Sequence, residues 1–456
     1  MHLCRPTLSG AWLPRSPAPP ASALRVRRAR LCRSLTALFL GGAAACLAQD
    51  LGVPAKVKIK LLDPDVKITR LSAANEQTFF AYYDLPAFDA TTSRHLANRV
   101  PFRDRMPTAD DTAELGTIAT AGKFEPFART QAWNFQQGAL LQWLGGASNR
   151  VFYNEINPAR DGYRGVLHDL GTGARTYTDR ALANLSRDGR WGLGVDFDRL
   201  HDFRPGYGYA LRDDPHEKVP HPDDDGIWLC DLSTGRSHLI LSLAAICAQV
   251  HHLAPELQMK LLINHITFNP SADRFIFLLR NFPPAKVPPT VKRAWRDVVL
   301  TADREGKNVR VLVAPGYASH YHWRDDTTLV FHSDGPQGPQ LYEITDTATP
   351  KFTALDPAFF PKDGHCSYSP DGRWMLYDSY PDKEGMQHLY LYNLAAKKGV
   401  DLAAFAALPV PIVDIRCDLH PRWIDASRVS FDSTHEGCRG IYLADLRAVQ
   451  ERESRR

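Results

Sequence analysis

The chain has no CxxC pair, and after residue 48 it has no long apolar run. The first absence excludes the usual thiolate cage of a structural zinc site. The second leaves no segment after the leader that reads as a membrane-spanning helix. An even set of cysteines is missing as well. Loss of a leader ending at Ala48 would leave Cys230, Cys247, Cys366, Cys417 and Cys438, an odd number that cannot all pair within the chain. Cys417 and Cys438 are the pair an oxidising compartment could join, with buried free thiols as the competing reading. Nor is there a true excess of positive charge. The 55 basic and 51 acidic residues give +4, but residues 1–48 hold seven arginines and no acid, so 48 basic residues then face 51 acidic ones and the charge is −3. No global field favours nucleic acid, and any grip on an anion must come from a local cluster.

The leader itself is legible. A basic stretch, Arg25-Val-Arg-Arg-Ala-Arg-Leu-Cys-Arg33, precedes an apolar stretch from Leu35 to Leu47, and Cys46-Leu-Ala48 offers a small-x-small cleavage site. This reads as a secretory signal with an over-long start, residues 1–48, and predicts a periplasmic or secreted protein whose folded part is 49–456. Thirty-three prolines, thirty glycines and a 10% aromatic share point to strands and turns rather than helices.

One short pattern recurs. His265-Ile-Thr-Phe268-Asn-Pro270, His320-Tyr-His-Trp323-Arg-Asp325, His365-Cys-Ser-Tyr368-Ser-Pro370 and His420-Pro-Arg-Trp423-Ile-Asp425 all read His-x-x-aromatic-x-[Pro/Asp], with the histidines 55, 45 and 55 residues apart. Each copy runs into a turn and an apolar strand. Units of roughly 40–50 residues with several short strands are the signature of propeller blades. Copies without the histidine begin near Tyr82-Tyr83-Asp84, Leu141-Gln-Trp143 and Leu185-Ser-Arg187. The predicted fold is all-β, a seven-bladed propeller of four-stranded blades at 80–125, 137–180, 182–242, 262–315, 318–360, 363–412 and 417–447. The last blade is short of a strand, which residues 54–72 can supply, closing the ring between the two ends of the chain.

Histidines at one register of four adjacent blades would point at one axial funnel. A metal or catalytic cluster is the reading favoured over four separate stitches between blades. His322 lies two residues from His320, and Arg422 two from His420, so strand alternation puts each on its neighbour's side. Loops between second and third strands should face the same mouth. They carry Arg103, then Arg204, Tyr207 and Tyr209, then His435 and Arg439. Arginine forks suit carboxylates, and tyrosines stack on sugars or carry protons. For Tyr207 and Tyr209 a cover over the core is the equal alternative. His221-Pro-Asp-Asp-Asp225 reads as a solvated turn, with calcium as the alternative, and Phe282 to Pro289 as a stiff insertion.

The Ser369-Pro-Asp-Gly-Arg-Trp374 turn resembles the TolB-type (PD40) propeller repeat, and a ring of such repeats with axial histidines resembles the oligogalacturonate lyase family. The motifs cover 262–447 well and the first three blades loosely. The resemblance implies a divalent metal, manganese first, with calcium or zinc as alternatives. It also implies β-elimination on uronate-containing oligosaccharides or polysaccharides; the chain itself is expected to be a monomer. Carried over, it makes His320, His365 and His420 the metal ligands and His265 the base, with these roles interchangeable. Arg422 would neutralise the substrate carboxylate and Tyr207 assist. The family's glutamine ligand has no match in the last four blades, and Gln136 and Gln137 are nearest by register. Two other classes compete: a non-catalytic TolB-like propeller holding a protein or glycan, and a glycoside hydrolase using Asp363, Asp418 or Glu436.

Overall fold

The local grammar of the fold is set at Ser369-Pro-Asp-Gly-Arg-Trp374. The Ser369 hydroxyl donates to the Asp371 carboxylate (2.6 Å) and accepts from the Trp374 amide (3.0 Å), while Gly372 takes φ +68°, where a side chain would be strained. Ser186-Arg-Asp-Gly-Arg-Trp191 makes the same turn, with a hydroxyl–carboxylate bond of 2.5 Å and Gly189 at φ +68°. Each such turn folds the first strand of a blade back onto the second.

A computed structural model of the chain describes residues 58–455 except Ala81, 120–121, 146–148, 254–259 and 281–296. The expected leader (1–48) and the Pro-rich insertion (282–289) lie outside the described residues. Seven antiparallel sheets form the predicted seven-bladed propeller. Blade one holds Gln77–Phe79, Arg94–Val100, Ala113–Ala119 and Phe124–Thr130, and blade two Gln142–Trp143, Arg150–Ile156, Tyr163–Asp169 and Arg175–Tyr177. Blade three holds Asn184–Leu185, Trp191–Gly194, Gly226–Asp231 and Arg236–Ser242, and blade four Leu262–Phe268, Arg274–Arg280, Asp297–Asp303 and Arg310–Gly316. Blade five holds Ala318–Trp323, Thr328–Ser333, Gln340–Thr345 and Phe352–Ala354, and blade six Cys366–Tyr368, Trp374–Asp378, Met386–Asn393 and Lys398–Ala406. Arg422–Trp423, Arg428–Ser433 and Gly440–Asp445 make the inner part of blade seven.

Blade seven is completed from the start of the chain: Lys67–Arg70 pairs antiparallel with Gly440–Asp445. A second early strand, Ile59–Leu61, adds a fifth member to blade six against Lys398–Ala406, which was not expected. Blade one also differs from its predicted bounds. Its first strand ends at Phe79 because the Phe80 amide turns to the Asp432 carboxylate of blade seven (3.2 and 3.3 Å), and the chain then enters the channel as Tyr82-Tyr83.

The core lies between blades. In Trp374–Asp378, Met375 and Tyr377 pack towards Val330 and Leu341 of blade five, while Trp374 and Leu376 pack towards Leu419, Val429 and Phe431 of blade seven. Alternation thus serves two apolar faces at once. The repeated aromatic locks neighbours together. The Trp323 indole donates to the Thr267 carbonyl one blade back, and Trp423 to Ser367, both at 3.3 Å.

Candidate active site

Two of the repeated histidines interrupt their strands, while His365 and His420 stand just before theirs. His265 falls where pairing skips from Asn264 to Thr267, and His320 where it skips from Ala318 to Tyr321. His265 and His420 take left-handed backbone angles, φ +50° and +43°, a strained state for a residue with a side chain. At His265 and His320 the bulge aims the ring inward rather than along the sheet.

The four rings meet. His320 and His365 have centroids 4.0 Å apart, His365 and His420 4.3 Å, and His265 and His320 6.2 Å. Tyr82 lies in their midst, stacked on His265 at 5.3 Å and edge-on to His420 at 4.9 Å. Tyr83 anchors this segment, donating to the Tyr321 carbonyl (2.6 Å) and accepting from its amide (3.0 Å).

Two aspartates orient the imidazoles. Asp378 accepts from His365 Nδ1 at 2.9 Å and from the His420 amide at 3.1 Å, and Asp363 meets His320 Nδ1 at 3.0 Å and the Tyr317 hydroxyl at 2.7 Å. With Nδ1–H committed to Asp378, the Nε2 lone pair of His365 faces Nε2 of His420 at 3.2 Å, and the Asp418 carboxylate is 3.9 Å from that same His420 atom. His365, Asp418 and His420, all buried, bring their donor atoms within 4.8 Å of one another. Two opposed imidazole nitrogens beside a carboxylate, one imidazole backed by a second carboxylate, fit a borderline divalent cation. His320 belongs to the cluster but not to this trio.

Burial opposes charge on every ring. It holds His265 far below the ordinary histidine range, with Arg280 and His320 adding to the effect, and lowers His320 to about 4 against the pull of Asp363. His420 is likewise depressed by burial and then by His365. His365 is the exception: burial works against its charge, but Asp378, Asp418 and Asp363 together outweigh burial and raise it. Asp363 resists burial, since His320 and His332 hold it below the usual carboxylate range.

Beside the cluster opens a cavity of about 770 Å³. His265, His320, Tyr207, Tyr380, Arg204, Arg280 and Arg416 are on its wall, with Asp363 and Asp418. Arg204 stacks its guanidinium on Tyr207 at 4.4 Å and pairs with Asp414 at 3.6 Å. A glutamine does reach this wall: Gln387, whose side chain donates to the Cys417 carbonyl at 3.1 Å.

The other expected site residues are placed elsewhere. Arg422 and His322 line a separate cavity of about 580 Å³ further along the strands. There Arg422 is buried in a pair with Asp432 (3.0 Å) and Ser430 (3.2 Å). Alternation fails as a guide because the irregular histidine resets which face the following residues take. Tyr209 is core, stacked on Phe197 at 4.3 Å and bonded to Asn154 at 3.0 Å. Buried Arg439 donates to the Ile415 and Arg416 carbonyls and clamps the 413–416 turn from behind. Arg103 is half-buried and off the cavity wall, and Gln137 lines a pocket of about 30 Å³ beside His265. His435 is packed inside blade seven, 4.4 Å from the Tyr442 ring, with Nδ1 on Ser433 (2.9 Å).

Asp378, Tyr82, Tyr380, Arg280 and Arg416 were missed as residues of the cluster and cavity, and Asp363 and Asp418 were named only as carboxylates for a hydrolase. A signal for placing these two beside the histidines existed, because Asp363-Gly-His365 and Asp418-Leu-His420 share an Asp-x-His spacing. The carboxylates a hydrolase would need are committed, Asp363 to His320, Asp418 to Arg416 (2.8 Å) and Glu436 to Arg70 (2.6 Å). A second trio, Asp196, Asp214 and His216, offers one imidazole rather than two, and its Asp214 carboxylate already carries two cations, Lys260 (2.7 Å) and Arg199 (3.1 Å). All five described cysteines are free and buried, so Cys417 and Cys438 form no bridge.

Two histidines off the cavity carry a pH consequence. Burial lowers His95 to about 3 and His435 to about 4, both from 6.5. The unfolded chain takes up these protons as pH falls below 6.5 while the folded one refuses them, so stability is full above that pH and falls towards pH 4. The expected slope is about 1.4 kcal/mol per pH unit for each ring. Denaturant melts between pH 7 and 4 measure it, and His435→Gln should flatten the curve.

No protein-family model and no curated protein sequence matches the chain. Solved structures do. An oligogalacturonate lyase in complex with manganese matches with a TM-score of 0.56 at 16% identity, covering 85% of this chain and 97% of that one. An oligogalacturonate lyase from Vibrio parahaemolyticus gives 0.56 at 15% identity over 85% and 96%. The seven-bladed fold read from the repeat is thus the fold of these lyases, shared over nearly their whole length.

Proposed function

We propose that this protein is an exported, metal-assisted lyase that cleaves uronate-containing oligosaccharides or polysaccharides by β-elimination. One observation carries the reading: histidines from four consecutive blades cluster beside one cavity, His320, His365 and His420 with ring spacings of 4.0 and 4.3 Å, and His265 and His320 on the cavity wall. The fold shared with oligogalacturonate lyases, one of them in complex with manganese, supports it.

His365, Asp418 and His420 would hold the divalent cation, manganese first among the choices. When bound, such an ion polarises the carboxyl group beside C5 and acidifies the C5 proton. His265, kept neutral by burial, accepts that proton. The electron pair then forms the C4–C5 double bond as the C4–O bond to the leaving sugar breaks. Tyr207, with its ring 5.5 Å from His265, gives the leaving oxygen its proton. Arg204 and Arg280 stand beside His265 in the role first assigned to Arg422 and orient the carboxyl. Among the described residues no helix is long and apolar enough to cross a membrane. The protein would act as a monomer in the periplasm or outside the cell, without nucleic acid.

The test is metal analysis of the purified protein together with the ultraviolet absorbance of unsaturated uronate on a panel of polyuronates. Bound divalent metal and a rising absorbance are expected. A metal-free protein giving no unsaturated product would overturn the proposal.

A further inference from the structure

Part of the wall of this cavity is aliphatic, and nothing in the lyase reading accounts for it. The segment joining blades six and seven, Ala407-Leu-Pro-Val-Pro-Ile-Val413, lays Leu408, Pro409, Val410 and Val413 along the cavity, with Pro381 beside them. Val413 is 64% exposed and Ile412 41%, two of the five large apolar side chains standing in solvent among the described residues.

These side chains are held out rather than left loose. The Ala407 amide donates to Gly385 (2.9 Å), the Leu408 amide to the Thr434 hydroxyl (3.0 Å), and the Gln136 side chain to the Asp414 carbonyl (3.2 Å). From the other side the Gly206 backbone presses on Asp414 so closely that a Cβ there would come within 2.7 Å of it. Clamped at both ends, the segment cannot withdraw its apolar groups, so the cost of wetting them is recovered only when a ligand covers them.

Charge points the same way. Each arginine on the cavity already faces an acid: Arg204 faces Asp414 at 3.6 Å, Arg280 faces Asp297 at 3.4 Å and Arg416 faces Asp418 at 2.8 Å, while Asp363 adds a further carboxylate. A chain of free uronates brings one negative charge per sugar, more than the single cation of the lyase reading can match once each arginine faces its acid, and burying unmatched carboxylates is expensive.

We infer that the preferred substrate is an ester-capped uronate chain, whose methylated carboxyls are uncharged and whose ester methyls rest on the 407–413 shelf. This rests on the lyase reading and deepens it. Capping also suits the chemistry, because an ester acidifies the neighbouring C5 proton more than a carboxylate does.

The test compares matched oligouronides in three forms, free acid, methyl ester and O-acetylated free acid, by unsaturated-product formation and by calorimetric titration. The methyl ester should exceed the free acid in kcat/KM and in affinity by about tenfold or more, the scale of one methyl group in an apolar pocket. Val410→Asn and Val413→Ser should bring that ratio towards one. Val413 is exposed, so its variant tests the shelf even if Val410→Asn folds poorly. Equal or faster turnover of the free acid, or a preference unmoved in Val413→Ser, would overturn the inference. A preference for the acetylated form over the methyl ester would place the apolar group on a hydroxyl and overturn it too. If none of the three yields unsaturated product, the lyase reading fails. The titration still decides the shelf, since equal affinities refute it and tighter ester binding upholds it.

Discussion

Replacing His265 with alanine is expected to lower turnover by about 10²- to 10⁴-fold while leaving metal content at the parent level. The two effects separate because of where the ring sits. His265 lies 6.2 Å from His320 and is not among the trio whose donor atoms approach within 4.8 Å. It stacks instead on Tyr82 and stands edge-on to Tyr207 at 5.5 Å, against the open cavity. Its burial keeps the ring neutral, the form that accepts a proton. Steady-state kinetics with metal analysis of the same preparation checks this. If metal disappears with His265, the division between ligands and base drawn here is wrong.

Replacing His365 with alanine should abolish metal binding and activity together, and Asp378→Asn should weaken metal affinity by about 10- to 100-fold. Asp378 reaches two of the proposed ligands at once, the His365 ring at 2.9 Å and the His420 backbone at 3.1 Å, so its loss should misalign both. An asparagine there is close in size and keeps one acceptor, yet it no longer favours a proton on Nδ1. Excess manganese should restore turnover to Asp378→Asn but not to His365→Ala. A competition titration with a chelator gives the affinities, and unchanged affinity in Asp378→Asn would refute the orienting role.

Much of this was legible before any coordinates. The recurring His-x-x-aromatic pattern gave the blade period, and Trp323 and Trp423 do bridge to the preceding blade at equivalent carbonyls. Closure by the early strand at Lys67–Arg70 followed from the missing strand of blade seven. What escaped depended on departures from regularity. Arg422 and His322 were assigned by period-two alternation, which does not survive a histidine in a bulge or at φ +43°. Tyr82 and Tyr83 escaped because they lie outside any strand and reach partners such as Tyr321, 238 residues away. Asp378 is thirteen positions past His365, a spacing that means something only once the hairpin is drawn.

The way the ring closes has a consequence for when the protein becomes active. Arg70 reaches Glu436, Cys438 and Tyr442, partners 366, 368 and 372 residues further along. The strand that carries it must therefore stay unpaired until nearly the whole polypeptide has been made. The same closure brings Tyr82 and Tyr83 across the channel to histidines that four later blades supply. An open ring has the four histidines in sequence but no centre to hold them. Product formation by this chain would thus double as an assay of completed folding, and a nick or truncation at either end would silence it without touching the chemistry.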